Sequence, residues 1–196
     1  MSDAMKLPVG VDELFLKSIR YRYGTAPRNI IELKGKKKTP SLEKGVTYWV
    51  PETYRIVRSG ERKLIQYKSD SYKNQEKWVD DRKMKKAYAR YHFECVGVET
   101  KKLNKLGKKD VILNGTFPER IIIKGEDPST MPGKFKTKSY EIWRFATKWD
   151  EDAPEGSKWD DNPEIFVYNV VVHRVKPEYD NYYDHHWTEN EINKDI

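Results

Sequence analysis

The residues best suited to metal chemistry lie near the C-terminal end of the sequence. Asp184, His185 and His186 follow one another there, and His173 and Asp180 come shortly before them. Imidazole nitrogens and carboxylate oxygens are ligands for Zn²⁺ and Mn²⁺. The surrounding stretch has no periodicity that would place these side chains together. We therefore interpret them as surface side chains of a tail and expect no resident metal or cofactor.

A second candidate for chemistry is the apolar run 30–34, which contains Glu32 and Lys34. Apolar residues that lead into the pattern Glu-x-Lys resemble the metal-binding strand of PD-(D/E)xK nucleases. The resemblance implies that carboxylates hold Mg²⁺ while the lysine assists charge development. It covers five residues. The Asp that such a site also needs on a strand has no counterpart, because Asp12 and Glu13 fall in a predicted helix.

Other sequence signatures of catalysis are missing. The chain has no glycine-rich phosphate-binding loop of either common type. The triplet 184–186 lacks the further Asp-rich motifs of DHH phosphoesterases, and no ββα framework of an HNH nuclease is evident. We therefore expect a protein that is not an enzyme, with a Mg²⁺-dependent nuclease kept as an alternative.

Aromatic and basic side chains alternate through the first ninety residues or so. Bases stack on aromatic rings for roughly 1–3 kcal/mol each, while a basic groove holds the phosphate backbone. Because the chain is short of Leu, Ile and Met, most of these rings must also fill the core. The residues predicted to contact nucleic acid are Lys34, Lys36, Lys37, Lys38, Trp49, Tyr54, Arg55, Arg58, Arg62, Lys63, Arg82, Lys83, Lys85, Lys86 and Arg90.

Charge is divided unevenly along the chain. Residues 150–196 carry thirteen acidic and four basic residues, a net charge of −9, whereas residues 1–149 carry thirty-four basic and eighteen acidic residues, a net charge of +16. The two values add up to the formal total of +7. Such asymmetry suggests a polyanionic partner for the basic part.

Aromatic residues in the acidic part are predicted to bind a protein partner. Residues 148–155 and 158–164 repeat a Lys-Trp-acid-acid pattern, which could present two rings to a partner, fold back on the basic face, or remain a solvated loop. Residues 177–196 are acidic and aromatic, which is typical of a tail that stays disordered until it binds. The predicted partner-binding residues are Trp149, Trp159, Tyr179, Tyr182, Tyr183 and Trp187.

The composition predicts a modest core in a single basic domain, residues 1–176, followed by the tail 177–196. Apolar residues make up 37% and charged residues 35%, against typical values of about 45–50% and about 25%. Cys95 is the sole cysteine, so no intrachain disulfide can form, and its apolar neighbours favour a buried thiol. Neither a secretory signal nor an apolar run approaching ~20 residues is present. We expect a cytoplasmic or virion protein without a membrane partner.

Periodicity predicts a β-rich α+β fold. The predicted helices are 11–23 and 74–91, and the predicted strands are 29–33, 92–99, 111–113, 121–123, 139–147 and 165–175, with a hairpin within 46–68. One face of the hairpin is expected to be aromatic and aliphatic and the other basic. We expect one antiparallel barrel or sandwich of about six or seven strands, in which an OB-like barrel is one option, with two helices and an extended acidic tail.

These features favour a module that binds single-stranded or packaged nucleic acid within a larger nucleoprotein assembly. The acidic C-terminal segment would act as a regulator or as a hook for a partner. In layout the chain is similar to phage single-stranded-DNA-binding proteins, although its last residues, Lys194-Asp195-Ile196, depart from an acidic-aromatic tip. The main alternative is a structural component of a large assembly, such as a phage virion connector or tail protein.

Overall fold

The computed structural model describes residues 4–8, 16, 27–36, 39–70, 77–114, 131–136 and 139–181. The chain forms two compact units. The first unit comprises Met1–Leu7, Thr47–Glu94 and Val172–Ile196, and the second comprises Pro8–Val46 and Cys95–Val171. Neither unit is a continuous stretch of sequence. The predicted boundary after residue 176 does not coincide with a boundary between these units and stays a prediction.

The described residues contain eight strands and three α-helices. The strands are β1 (Met5–Lys6), β2 (Pro27–Leu33), β3 (Thr47–Trp49), β4 (Tyr54–Ser59), β5 (Arg62–Tyr67), β6 (Tyr91–Lys102), β7 (Glu164–Arg174) and β8 (Asp180–Asn181). The helices are α1 (Lys108–Leu113), α2 (Gly133–Lys136) and α3 (Tyr140–Asp152), with 3-10 turns at Lys68–Asp70, Asp81–Lys83, Lys86–Tyr88 and Leu103–Lys105. The fold is mixed α+β and rich in strands, as predicted. No helix in the described ranges has the length and apolar character needed to cross a membrane.

Five strands form one sheet in the order β1-β3-β6-β7-β2, and three form another in the order β4-β5-β8. β2 runs antiparallel to β7, from the pair Pro27–Val171 to the pair Leu33–Ile165. β1 is parallel to β3, and β8 is parallel to β5. The prediction of a purely antiparallel arrangement is therefore wrong, because short segments near both ends of the chain add parallel edges.

β7 is the strand that the sequence indicated most clearly. Its β-branched and aromatic residues fit a pleated, buried surface, and all four side chains from Ile165 to Tyr168 are buried. The predicted strands at 29–33 and 92–99 are also present, as β2 and as part of the longer β6. These three predictions are confirmed.

Two predicted strands of the second unit are helices. α3 replaces the strand predicted at 139–147, because Ile142, Phe145, Ala146 and Trp149 follow the i, i+3, i+4, i+7 spacing of one helix face. These side chains pack in a core with residues of α1, α2 and β7. The Ser139 hydroxyl caps α3 by accepting from the Ile142 N–H at 3.2 Å.

α1 likewise replaces the strand predicted at 111–113. Its first turn is closed by Asp110, whose carboxylate accepts from the Gly107 N–H at 3.0 Å. The basic loop predicted at 101–109 is the end of β6, the 3-10 turn Leu103–Lys105 and the start of α1. The strand predicted at 121–123 lies outside the described residues. So does the helix predicted at 11–23 apart from Leu16, which is helical and buried.

The first unit is built around the hairpin of β4 and β5, which is confirmed. Gly60, with φ of +60°, turns the chain between the two strands. One core of this unit contains Trp49, Tyr54, Ile65, Tyr67, Met84 and Ala89. The helix predicted at 74–91 is wrong for its described part, which consists of two 3-10 turns between extended residues. Val79 forms an isolated β-bridge to Tyr54 through two backbone hydrogen bonds, which holds this part of the segment against β4.

The two faces of the hairpin do not separate as predicted. Cross-strand partners share a face, and the pairs on one face are Tyr54–Tyr67, Ile56–Ile65 and Arg58–Lys63. Basic residues therefore follow apolar ones along a single face. Buried and exposed residues are instead separated along the length of the hairpin. Leu64–Tyr67 of β5 are buried, whereas the charged residues around the turn are exposed.

Candidate nucleic-acid interface

The end of the β4–β5 hairpin carries a group of exposed cations in the described part of the first unit. Arg58, Arg62 and Lys63 are all exposed, with Glu61 in the turn between them as the one acid. Arg58 lies directly opposite Lys63, and Ser59 directly opposite Arg62. No carboxylate among the described residues pairs with these three cations. We call residues 58–63 the hairpin tip.

A second group of cations follows the bridge at Val79. Arg82, Lys83, Lys85 and Lys86 are all exposed. The Asp80 carboxylate takes two hydrogen bonds from the Arg82 guanidinium, each of 2.8 Å, so that charge is balanced locally. The same hydrogen bonds lower the pKa of Asp80 and raise that of Arg82. Lys83 and Lys85 have no such partner in the described part of the chain. We call residues 82–86 the lysine segment.

Lys6 joins the lysine segment although it is far away in sequence. Its Nζ donates to the Arg82 carbonyl oxygen at 2.9 Å and lies 5.5 Å from the centre of the Trp49 ring. The parallel pairing of β1 with β3 brings it there. Sequence reasoning missed this residue, because an isolated lysine within a two-residue strand gives no local signal.

The predicted base-stacking rings are largely unavailable. Trp49 and Tyr54 are buried in the core of the first unit, so their rings are not open to a base in this structure, and their assignment as nucleic-acid contacts stays a prediction. Arg55 keeps its predicted surface position but stacks at 5.3 Å over Trp78 and donates to the Gln66 side chain at 2.6 Å. The aromatic residues fill the interior because few aliphatic side chains are present to do so.

Arg90 is also interior, with 3% of its surface exposed. Its guanidinium donates to both oxygens of Glu52, at 3.0 and 2.8 Å, and to both oxygens of Asp70, at 2.6 and 3.0 Å. It also lies 4.0 Å from the centre of the Tyr67 ring. Burial alone would lower the pKa of Arg90, but the two carboxylates outweigh it and raise that pKa. The charge of Arg90 is therefore already neutralised within the fold, and its predicted contact with nucleic acid stays a prediction.

The lysines predicted in the second unit are only partly described. Lys34 forms an ion pair of 3.0 Å with Glu164, which lowers the pKa of that carboxyl. Lys36 is exposed beside Gly35. Lys37 and Lys38 lie outside the described residues.

The Glu32 carboxylate is engaged by hydroxyl groups. The Ser41 Oγ donates to one of its oxygens at 2.6 Å, and the Tyr168 hydroxyl donates to the other. Burial, and then the hydrogen bond to Glu32, raise the pKa of Tyr168. Since both oxygens accept hydrogen bonds and Lys34 is paired with Glu164, these contacts give Glu32 a structural role in holding β2, β7 and the loop at Ser41 together.

The histidines that are described form no metal site. His173 Nε2 lies 3.3 Å from the Glu94 carboxylate. Burial, Lys86 and His173 lower the pKa of His92. No group of three His, Cys, Asp or Glu side chains in the described ranges is placed to hold an ion. The triplet 184–186 lies outside those ranges.

The two Trp-acid-acid repeats contact each other. The Trp149 indole N–H donates to the Ser157 carbonyl oxygen at 2.8 Å, and the Asp150 carboxylate accepts from the Trp159 N–H at 2.6 Å. Trp159 is buried in the core of the second unit and Trp149 packs against it. Trp159 is therefore part of the core and Trp149 is half-buried against it, while the binding of a partner by these rings stays a prediction.

Only one of the predicted aromatic contacts in the tail is described. Tyr179 stacks on Tyr88 with ring centres 5.5 Å apart, and the Glu178 N–H donates to the Ala87 carbonyl oxygen at 2.7 Å. Tyr179 is therefore part of the first unit, which is a different role from the one predicted. Tyr182, Tyr183 and Trp187 lie outside the described residues.

Comparison with protein-family models, with curated protein sequences and with solved structures finds no match for this chain.

Proposed function

We propose that this protein is a non-enzymatic module that binds nucleic acid through the exposed cations of its first unit, within a larger nucleoprotein assembly. The hairpin tip is the primary contact, and the lysine segment with Lys6 adds further positive charge. Cations that meet phosphates release condensed counterions, which supplies most of the sequence-independent affinity.

The observation that carries this proposal is the pair Arg58–Lys63. Two like charges directly opposite each other on an antiparallel pair destabilise the sheet. Both side chains are exposed, and no carboxylate among the described residues compensates them. A bound polyanion would offset this repulsion. The two side chains that destabilise the isolated fold would therefore stabilise a complex with a phosphate backbone.

Two finer parts of the proposal concern the fold and the tail. Closure of strands into a barrel or sandwich, OB-like or otherwise, stays a prediction and is not needed for contact through the hairpin tip. The acidic residues after Asn181 are proposed to compete with nucleic acid for the same cations, which would make that segment a regulator.

The substitution Lys63→Glu tests the role of the hairpin tip. It places a carboxylate opposite Arg58, so we expect the free energy of unfolding to rise by about 0.2–1 kcal/mol. The same change removes a phosphate contact and adds a repulsive charge, so we expect affinity for a labelled oligonucleotide to fall about tenfold. Urea denaturation and fluorescence anisotropy measure the two effects on the same preparation.

Lys148→Glu is the matched control, because it changes the net charge equally at a lysine that α3 already balances. Lys148 pairs with Glu151 at 3.2 Å and with Asp152 at 3.4 Å. We expect this variant to keep its affinity while losing a little stability. Equal loss of affinity in both variants would show that binding follows net charge alone and would contradict the assignment to the hairpin tip.

A further inference from the structure

We infer that the nucleic acid bound by the hairpin tip is double-stranded DNA and that the tip enters its major groove. The inference rests on the proposed function and specifies its substrate. It follows from three features of the first unit: how its aromatic rings are occupied, how far the hairpin extends beyond the core, and where its charges lie.

The aromatic rings of the first unit are occupied by the fold itself. Proteins that hold single strands without sequence preference stack successive bases on open rings. The rings of Tyr48, Trp49, Tyr54, Tyr67, Tyr91 and Phe93 are buried. Three half-buried rings remain in the described part of this unit, those of Trp78, Tyr88 and Tyr179, and each contacts another side chain. The Arg55 guanidinium lies over Trp78, and Tyr88 contacts both Tyr54 and Tyr179.

Among the residues of this unit that the structure describes, the cations are therefore offered to nucleic acid without an open stacking platform. Such a surface recognises phosphates, whose density per unit length is higher in a duplex than in a single strand. The preference between a duplex and a single strand then depends on charge density and shape rather than on access to bases. Charge density and shape both favour the duplex.

The hairpin tip has the dimensions of a groove-binding element. The buried part of β5 begins at Leu64, opposite Val57 of β4, and the residues between these two are exposed except for the half-buried Ser59. Three residues at about 3.3 Å each give a projection of about 10 Å. The major groove of B-form DNA is about 12 Å wide and about 8.5 Å deep and admits a two-stranded ribbon.

Charges along the hairpin tip agree with this placement. Arg58, Arg62 and Lys63 lie on the strands beside the turn, where they would face the phosphates on either side of the groove. Glu61, the one acid, lies in the turn, which is the part that would reach the base edges and be farthest from the phosphates. A carboxylate there can accept from the cytosine amino group.

Double-stranded RNA is a poorer partner for the same element. The major groove of its A-form helix is deep and too narrow for side chains to read. A two-stranded ribbon therefore cannot enter the major groove of RNA, and only the wide, shallow minor groove and the phosphates of the outer surface remain for contact. The three nucleic-acid forms thus differ in what they offer to the hairpin tip.

The test measures the affinity of the full chain for a 20-base-pair DNA duplex, one of its separated strands and the corresponding RNA duplex, at one salt concentration. We expect the DNA duplex to bind on the order of tenfold more tightly than either alternative. Arg62→Ala combined with Lys63→Ala should reduce this preference to within about threefold while leaving weak binding to all three. Lys148→Ala serves as the control and should leave the preference unchanged.

The outcomes separate the inference from the function it rests on. Binding of the single strand as tightly as the DNA duplex would overturn the duplex inference and leave the proposed function intact. Equal binding of the two duplexes would overturn groove entry. Absence of binding to all three would overturn the proposed function itself.

Discussion

At the residue scale, Arg90 is a basic side chain that the sequence predicts to contact a ligand but that the structure places in a buried ion-pair network. It lies in sequence between the lysine segment and the strand β6, and nothing in its immediate sequence marks it as interior. Its guanidinium pairs with two carboxylates, that of Glu52 in the loop before β4 and that of Asp70 in the 3-10 turn Lys68–Asp70. The Ser69 hydroxyl completes the network by donating to Glu52 at 2.9 Å. All of these polar groups are buried. A buried network of this kind fixes the geometry of the first unit because leaving any member unpaired is costly.

Replacing Arg90 by methionine is expected to lower the free energy of unfolding by about 3–5 kcal/mol, because Glu52 and Asp70 would be left as buried, uncompensated carboxylates. Urea denaturation followed by circular dichroism measures the loss. Arg58→Met makes the same chemical change at an exposed arginine and should stay within about 0.5 kcal/mol of the parent protein. Similar losses in both variants would contradict the structural role of Arg90.

At the scale of elements, the C-terminal segment keeps contacts with the first unit beyond residue 176. Residues up to Asn181 are integrated in the first unit through three features: the backbone hydrogen bond at Glu178, the stacking of Tyr179 on Tyr88, and the parallel pairing of β8 with Leu64 and Ile65 of β5. The point at which the segment can be removed without loss of these contacts is therefore after Asn181 rather than after residue 176.

Two truncations test this division. Ending the chain after Asn181 is expected to leave the free energy of unfolding unchanged within about 0.5 kcal/mol and, because it removes four acids and one lysine, to tighten binding of nucleic acid. Ending it after Lys176 is expected to cost about 2–3 kcal/mol through the lost ring stacking and strand pairing. Thermal and urea denaturation compare the two. Equal stability of the two truncated proteins would show that β8 contributes little to stability. Unchanged affinity for nucleic acid after truncation at Asn181 would contradict a regulatory role of the acidic residues that follow it.

At the scale of the whole molecule, burial increases the charge asymmetry of the surface. Of the fourteen basic and eight acidic residues in the described part of the first unit, Arg90, Glu52 and Asp70 are buried together. Thirteen basic and six acidic residues remain, so the outer part of this unit is more positive than its sequence. The second unit, in contrast, balances several of its lysines locally, as at Lys34–Glu164 and Lys108–Glu141.

This distribution predicts a steep salt dependence of nucleic-acid binding. If three to five cations of the first unit meet phosphates, the plot of log affinity against log salt concentration should have a slope of about −3 to −5. Anisotropy titrations between 50 and 300 mM NaCl, a range of about sixfold, measure it. A flat dependence would contradict phosphate contact, and sedimentation in a complex of fixed stoichiometry without nucleic acid would favour the structural alternative.

The sequence by itself determined those elements whose signal is local. β7 follows from a run of β-branched and aromatic residues, and the hairpin follows from two such runs around Gly60. The unequal distribution of charge, the buried Cys95 and the use of aromatic rings as core material were also readable from residue types alone. In α3 the helical spacing of Ile142, Phe145 and Ala146 was present in the sequence, but the β-forming residue types favoured a strand.

Only the tertiary structure decided which charges and rings are available. Whether a cation is exposed depends on carboxylates distant in sequence, as Asp70 and Glu52 are from Arg90, and no local pattern encodes such a meeting. Contacts between residues distant in sequence also determine the surroundings of Trp78 and Lys6. Arg55 lies over Trp78, and the pairing of β1 with β3 places Lys6 beside the lysine segment. Long-range pairing, rather than composition, therefore sets the surface through which this protein is proposed to act.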